Sequence, residues 1–293
     1  MTPLVIPLTG SERLAGKLAV ALNGELGELE TRRFPDEEVY LRLTASPKGR
    51  SVVIVCTLDR PDSKVLPLLF AAGTARDLGA TRVGLVAPYL AYMRQDKRFN
   101  DSEAVTSVHF ARLLSSAFDW LATVDPHLHR YHDLSEIYRI PAVPLHAAPL
   151  LSDWIKAEVP HALLIGPDAE SEQWVRAVAA GVDAPHIVLR KQRLGDRDVR
   201  VTMPDLAEWS GRTPVLMDDI VSSARTMIET ARQIAAAGLP RPICVAVHAL
   251  FAEDSYRSLK TTAARIATTN TVPHETNAID IAPLFINRIA DLL

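Results

Sequence analysis

The feature that most constrains this chain is its alternation of short apolar runs, rich in β-branched residues, with longer amphipathic ones. Residues 4–6, 52–56, 83–87, 121–124, 163–165, 187–189, 215–217 and 243–249 read as buried strands. Between them, residues 11–22, 64–78, 103–117, 170–180, 226–237 and 281–292 carry helical periodicity, several opened by Ser or Asp and closed by Gly. Strands alternating with helices build α/β folds with largely parallel sheets. At 293 residues the chain exceeds the usual size of one core and is expected to form about two domains. An internal echo supports two related halves: Ser63 opens a helix that ends at Gly79, and Ser223 opens another that ends at Gly238, each followed by an apolar run. Pro141, Pro144 and Pro149 disfavour a regular helix and mark the passage between the halves. The boundary is placed near residue 146, giving domains 1–145 and 146–293, with the last helix able to pack back on the first domain.

Charge and cysteine usage narrow the function. The net charge is −3 and the Lys and Arg residues are spread along the chain, which argues against nucleic acid or a membrane as partner. Cys56 and Cys244 lie in apolar runs and are expected to be reduced core residues, which points to the cytoplasm. No charged-then-apolar leader is visible, and no apolar run approaches the roughly 18 residues of a membrane span. A soluble enzyme acting on small molecules is the expectation.

Residues 213–226 carry the strongest chemical signal. Val215, Leu216 and Met217 form a short strand followed by Asp218 and Asp219, at the end of the strand where open α/β sheets bind ligands. Two adjacent carboxylates there suit a sugar diol. Ser222, Ser223 and Thr226 then offer hydroxyls at the start of a helix, whose unpaired N–H groups favour a phosphate. The competing reading is an ordinary turn in which Ser222 or Ser223 only caps the helix.

Other strand ends repeat the logic. Arg94, Gln95, Asp96 and Lys97 follow the run at 83–87 and form a candidate nucleotide and phosphate clamp, or else a solvated loop. His127 and His129 follow the run at 121–124, where imidazoles can meet a metal or a phosphate, hold zinc in a hydrolase, or sit on the surface near a turn. Asp168 ends another strand, and a basic cluster at residues 190–193 follows the next. Residues 193–200 are polar with one Gly, as in a loop closing over polyphosphate or in a plain exposed hairpin.

Taken in order, Phe34-Pro35-Asp36-x-Glu38, Tyr92-x-Arg94-Gln95-Asp96-Lys97, Asp125-x-His127, Pro167-Asp168, Lys191-x-Arg193, Asp218-Asp219 and Thr269-Asn270-Thr271-x-Pro273-His274 resemble the ribose-phosphate diphosphokinase family, also called phosphoribosyl pyrophosphate synthetases. The resemblance spans nearly the whole chain and is closer to archaeal-type members. It implies two phosphoribosyltransferase-like α/β domains, each a mostly parallel sheet flanked by helices, the first on the nucleotide side and the second on the ribose 5-phosphate side. It also implies ATP-dependent diphosphoryl transfer to ribose 5-phosphate. By the same resemblance Arg94, Gln95 and His127 hold ATP, and Phe34, Asp36 and Glu38 reach its adenine from a neighbouring subunit of a homodimer or larger assembly. His127 and Asp168 ligate Mg2+, and Lys191 and Arg193 stabilise charge during transfer. Asp218 and Asp219 take the ribose hydroxyls, and Ser222, Ser223, Ala224, Arg225 and Thr226 take the 5-phosphate.

Three positions depart from the family pattern. Glu37, Glu170 and the pair Ala224-Arg225 stand where glycines are expected, and the last places a Cβ beside a phosphate loop. Arg225 can offer its guanidinium to the phosphate, or can signal a different sugar phosphate. A regulatory paralogue without activity is the other alternative, opposed by the retained Lys191, Arg193, His127 and Asp168.

Overall fold

The computed structural model describes residues 2–193, 199–202 and 207–293, with the backbone alone at residues 170, 190–193, 199–202 and 207. The chain divides into two compact units, Met1–His146 together with Ala282–Leu293, and Ala147–Ile281.

The first unit is built on a parallel sheet of six strands: β1 Leu4–Pro7, β2 Glu25–Leu26, β5 Ser51–Val55, β6 Arg82–Ala87, β7 Trp120–Val124 and β8 Ala142–Leu145. Their order is β2-β1-β5-β6-β7-β8. An antiparallel hairpin, β3 Leu29–Arg33 with β4 Val39–Leu43, is inserted between the second and third strands of that sheet. Helices α1 Glu12–Ala21, α2 Asp62–Asp77 and α3 Thr106–Ala117 connect the strands. The central strands are buried along almost their whole length, as expected for a parallel sheet covered on both faces. Gly84 faces Trp120 in the neighbouring strand, and any Cβ there would overlap the buried indole. The sheet thus closes around the largest side chain of this core.

The second unit repeats the plan. Its strands are β9 Ala162–Gly166, β10 His186–Val188, β13 Thr213–Val221, β14 Ile243–Ala249, β15 Arg265–Thr269 and β16 Asn277–Ile279, in the parallel order β10-β9-β13-β14-β15-β16. The hairpin β11 Arg190–Arg193 with β12 Val199–Thr202 is again inserted between the second and third strands. Helices α4 Ala148–Glu158, α5 Glu172–Val182, α6 Arg225–Ala236 and α7 Ser255–Thr262 complete it. Met227, Ala231 and Ile234 of α6 pack into a core with Leu216 and Cys244. The last helix, α8 Ala282–Ile289, belongs to the first unit, where it packs on α1 and the chain end accepts a hydrogen bond from Arg82 at 3.3 Å.

Several boundaries differ from expectation for identifiable reasons. Within the passage at residues 139–149, Pro144 sits in β8, an edge strand where a missing N–H is tolerated, and Pro149 lies in the first turn of α4. Helix α3 starts at Thr106 rather than 103, because the Glu103 carboxylate accepts the backbone N–H groups of Phe99 and Asn100 and folds that stretch into a turn. Both cysteines are free and buried. Among the described residues no helix is long and apolar enough to cross a membrane.

Candidate functional site

In the second unit the site residues gather at the C-terminal ends of β9 and β13. Asp168, in extended backbone after β9, accepts the Ser171 N–H on its side chain at 3.3 Å, while its carbonyl accepts the Ser171 hydroxyl at 2.7 Å. Ser171 therefore fixes the orientation of Asp168, a role the sequence signals only as a Ser three residues after an Asp. Strand β13 runs on to Val221, so Asp218 and Asp219 are part of the strand instead of following it. Asp218 is aligned with Ala246 of β14. Its carboxylate accepts the Asp219 N–H at 3.0 Å, and the Asp219 carboxylate accepts the Ile220 N–H at 2.7 Å. Burial, then the charges of Asp219 and Asp168, push the Asp218 carboxyl well above the ordinary carboxylate range. Three acids thus crowd one end of the sheet. A set of hard oxygen donors of this kind fits a divalent cation or the hydroxyls of a sugar diol.

The turn after β13 leads directly into α6. Ala224 adopts left-handed backbone, φ 55°, ψ 8°, and passes its carbonyl to the Ile228 N–H at 2.8 Å. It makes no side-chain cap, so the reading of a plain capped helix loses its support: the first N–H groups of α6 are left for another acceptor. Ser222 and Thr226 are half-buried beside this turn, and Ser223 and Arg225 are exposed. Lys191 and Arg193 lie on β11, paired with Val201 and Val199. Their side chains, Glu170's side chain and most of the proposed closing loop at 193–200 lie outside the described residues.

The first unit groups its candidates in two places. Arg94 and Gln95 follow β6, and His127 follows β7, its neighbour. An Asp96–Arg130 ion pair at 3.3 Å and a hydrogen bond from Tyr131 to the Asp96 carbonyl at 3.2 Å join the two loops. Nothing in the sequence singled out Arg130 as the partner of Asp96. The His127 and His129 rings lie 3.8 Å apart between centroids. Asp125 is tied to His146 Nδ1 at 3.1 Å, and that hydrogen bond raises the His146 pKa. Phe34, Asp36 and Glu38 are elsewhere, at the turn of the β3–β4 hairpin, which packs on α2. Phe34 donates its N–H to the Glu38 carbonyl at 2.8 Å, and its ring is 40% exposed.

Residues 4–117 match the model of the N-terminal domain of ribose phosphate pyrophosphokinase, and residues 133–284 match the phosphoribosyl transferase domain. The chain is 30% identical over 292 residues to the ribose-phosphate pyrophosphokinase of Methanothermobacter thermautotrophicus, covering 99% of both chains. It belongs to the ribose-phosphate pyrophosphokinase family. The Methanopyrus kandleri ribose-phosphate pyrophosphokinase is 33% identical, with 96% of each chain covered. Phosphoribosylpyrophosphate synthetase from Mycobacterium smegmatis shares the fold, with a TM-score of 0.85, 21% identity, and coverage of 100% of this chain and 99% of that one.

Membership of the pyrophosphokinase family gives meaning to two of the missing glycines. Glu37 has φ 71° and Ala224 has φ 55°, so both non-glycine residues occupy backbone that glycine adopts without strain. The loops keep the glycine-like path, with the cost carried by the side chains. Arg225 consequently stands in the first turn of α6 and not in a rerouted loop.

Proposed function

We infer that this chain transfers the diphosphoryl group of ATP to the anomeric hydroxyl of ribose 5-phosphate, giving phosphoribosyl pyrophosphate and AMP. The observation that carries this reading is the β13–α6 turn, where Asp218 and Asp219 precede an uncapped helix N-terminus held open by left-handed Ala224. That order suits one ligand with a diol at one end and a phosphate at the other.

The roles follow from chemistry and placement. Asp218 and Asp219 accept the 2- and 3-hydroxyls of the ribose. The N–H groups at the start of α6, with Ser222, Ser223 and Thr226, hold the 5-phosphate, and Arg225 adds a guanidinium from the same turn. Arg94 and Gln95 bind ATP after β6, with His127 beside its phosphates. Lys191 and Arg193 supply positive charge as the bond from the β phosphorus to the bridging oxygen breaks and that oxygen leaves with AMP, since phosphoryl transfer depends on alignment and cations more than on covalent chemistry. Asp168 and His127 would hold Mg2+, which would supply positive charge to the phosphates. No general base is assigned.

The strands of the hairpin that carries Phe34, Asp36 and Glu38 line a cavity with the end of β1, while Arg94 and His127 follow β6 and β7, two and three strands across the sheet. This supports a homodimer or larger assembly in which the hairpin of one copy reaches the adenine bound by another. Helix α2 is apolar on all sides at residues 65–72, and Leu66 (57% exposed) and Phe70 (49% exposed) offer a face for that second copy. The two buried free thiols suit a reducing cytoplasm.

The test is direct: purified protein with ATP, Mg2+ and ribose 5-phosphate should yield AMP and phosphoribosyl pyrophosphate in equal amounts. Binding of both substrates without either product would remove the catalytic assignment.

A further inference from the structure

The turn after β13 lacks local restraints that its shape calls for. Ala224 is left-handed at φ 55° and no side chain caps the helix start beside it. A non-glycine residue keeps such backbone only where the surroundings fix it. In the second unit those surroundings include the connection between β14 and α7. Strands β13 and β14 stay paired as far as Val221 and Ala249. Beyond that pair, Leu250 shares its N–H between the carbonyls of Val221 at 3.0 Å and His248 at 3.1 Å, and Ala252 gives its N–H to the Ser222 carbonyl at 3.1 Å. The carbonyls of the two residues that open the turn are thus held by residues 250–252. The path of the turn is as firm as that connection.

The Thr269-Asn270-Thr271-x-Pro273-His274 segment, which takes no part in the chemistry assigned above, grips that connection on both sides of Leu250. On one side is a buried polar knot. The β14–β15 pairing ends at Ala246 and Thr268, and past it the Val247 carbonyl accepts the hydroxyls of Thr269 at 2.7 Å and Thr271 at 3.0 Å in place of a backbone partner. The Thr271 hydroxyl also meets His248 Nδ1 at 2.9 Å, and all three side chains are at most 1% exposed. Polar groups buried this deeply hold their partners tightly, because any that parts from its partner is left without water. On the other side is a half-buried aromatic cluster. The Phe251 ring lies 4.7 Å from His274 and 5.3 Å from Tyr256, and Tyr256 meets His274 edge-on at 4.8 Å. His274 is fixed in turn by its N–H to the Asn277 side chain at 2.9 Å and by its Nδ1 beside the Thr276 hydroxyl at 2.9 Å.

We propose that Thr271 and His274 are positioning residues for ribose 5-phosphate: through His248 and Phe251 they brace residues 250–252, which hold the Val221–Ala224 turn in the shape that receives the 5-phosphate. The proposal rests on the reading of that turn as the 5-phosphate site. A helix start binds an anion well only when its N–H groups are aimed in advance, and here a strained alanine stands where they begin. The brace therefore acts on the affinity for the sugar phosphate and leaves the nucleotide untouched.

Equilibrium dialysis of the full chain with radiolabelled ribose 5-phosphate, alongside initial rates of the transfer, tests the brace. Thr271→Val keeps the side-chain shape and removes the hydroxyl. It should raise the Kd and the KM for ribose 5-phosphate about tenfold, the worth of one buried hydrogen bond, and leave kcat and the KM for ATP unchanged. Thr271→Ser keeps the hydroxyl and should bind as wild type does. His274→Ala reads the brace without touching the core, and should raise the same constants about threefold, the worth of one aromatic pair. Ala224→Gly added to Thr271→Val should recover most of the loss, because glycine takes that backbone without strain. Ribose 5-phosphate bound by wild type and weakened by Thr226→Ala, but held as tightly as in wild type by Thr271→Val and His274→Ala, would overturn the brace and leave the reading of the turn standing. A loss in Thr271→Ser as large as in Thr271→Val, or one that Ala224→Gly leaves untouched, would also overturn it. Wild type that binds no ribose 5-phosphate would overturn the reading of the turn, and the brace with it.

Discussion

Asp219 donates its backbone N–H to the carboxylate of Asp218 at 3.0 Å, drawing two acids together at one end of β13 beside the charge of Asp168. Burial and the neighbouring carboxylates of Asp219 and Asp168 disfavour the ionised form of Asp218. Asp218→Asn removes one charge from the crowd. The ligand-free protein should then melt at a higher temperature, while kcat/KM for ribose 5-phosphate falls on the order of 100-fold through lost positioning. A lower melting temperature would show that the crowding is already relieved.

Glu37 and Ala224 pose the same backbone problem in different surroundings. Both have positive φ, but Glu37 is exposed whereas Ala224 is 6% exposed and packs into the core of its unit. Glu37→Gly should stabilise the first unit by about 1 kcal/mol, with a rise of roughly 2–4 °C in its melting transition. Ala224→Gly should be close to neutral, because the relief of strain is offset by about 0.8 kcal/mol of lost methyl burial. Differential scanning calorimetry of the two variants checks the contrast; equal shifts would contradict it.

These two residues also mark how far the sequence could be read. The alternation of apolar strands and helices was legible because parallel strands buried on both faces are continuous apolar runs, as at β6, β7 and β9. The β3–β4 hairpin was not, since β3, Leu29–Arg33, is polar and largely exposed and β4 offers an alternating run of only five residues. β15 and β16 were hidden by the polar Thr268, Thr269 and Asn277, which are satisfied across strands: Asn277 donates to the Thr268 hydroxyl at 3.0 Å and to the Thr269 carbonyl at 2.7 Å. In the second unit, Asp168 follows β9 as expected, whereas Asp218 and Asp219 fall within β13 and the turn begins only after Val221. Ser171 and Arg130 were not, because they act through pairings between residues that no local pattern announces.

Burial pushes both cysteine thiols from 9.0 up to about 12. An unfolded chain sheds those protons above pH 9, whereas the folded chain keeps them until about pH 12. Their contribution to stability is therefore intact below pH 9 and lost progressively between pH 9 and 12. Iodoacetamide at pH 8 should label neither Cys56 nor Cys244 in the native protein and both in urea. Rapid native labelling would mean that one of the two cores opens readily.

The assembly proposed for the hairpin depends on the exposed apolar face of α2. Leu66→Glu combined with Phe70→Glu should shift the sedimenting species toward monomer and lower turnover at least about tenfold, the effect of losing central interface anchors. The isolated chain should keep its helical circular dichroism, as neither side chain is in the core. An unchanged sedimentation coefficient would move the interface to another face.

Diphosphoryl transfer itself is tested most directly by ATP labelled separately at the β and γ phosphorus, incubated with Mg2+ and ribose 5-phosphate. The account predicts that both labels move to the sugar in equal amounts and that AMP is the nucleotide released. Movement of the γ label alone, with ADP as product, would contradict it.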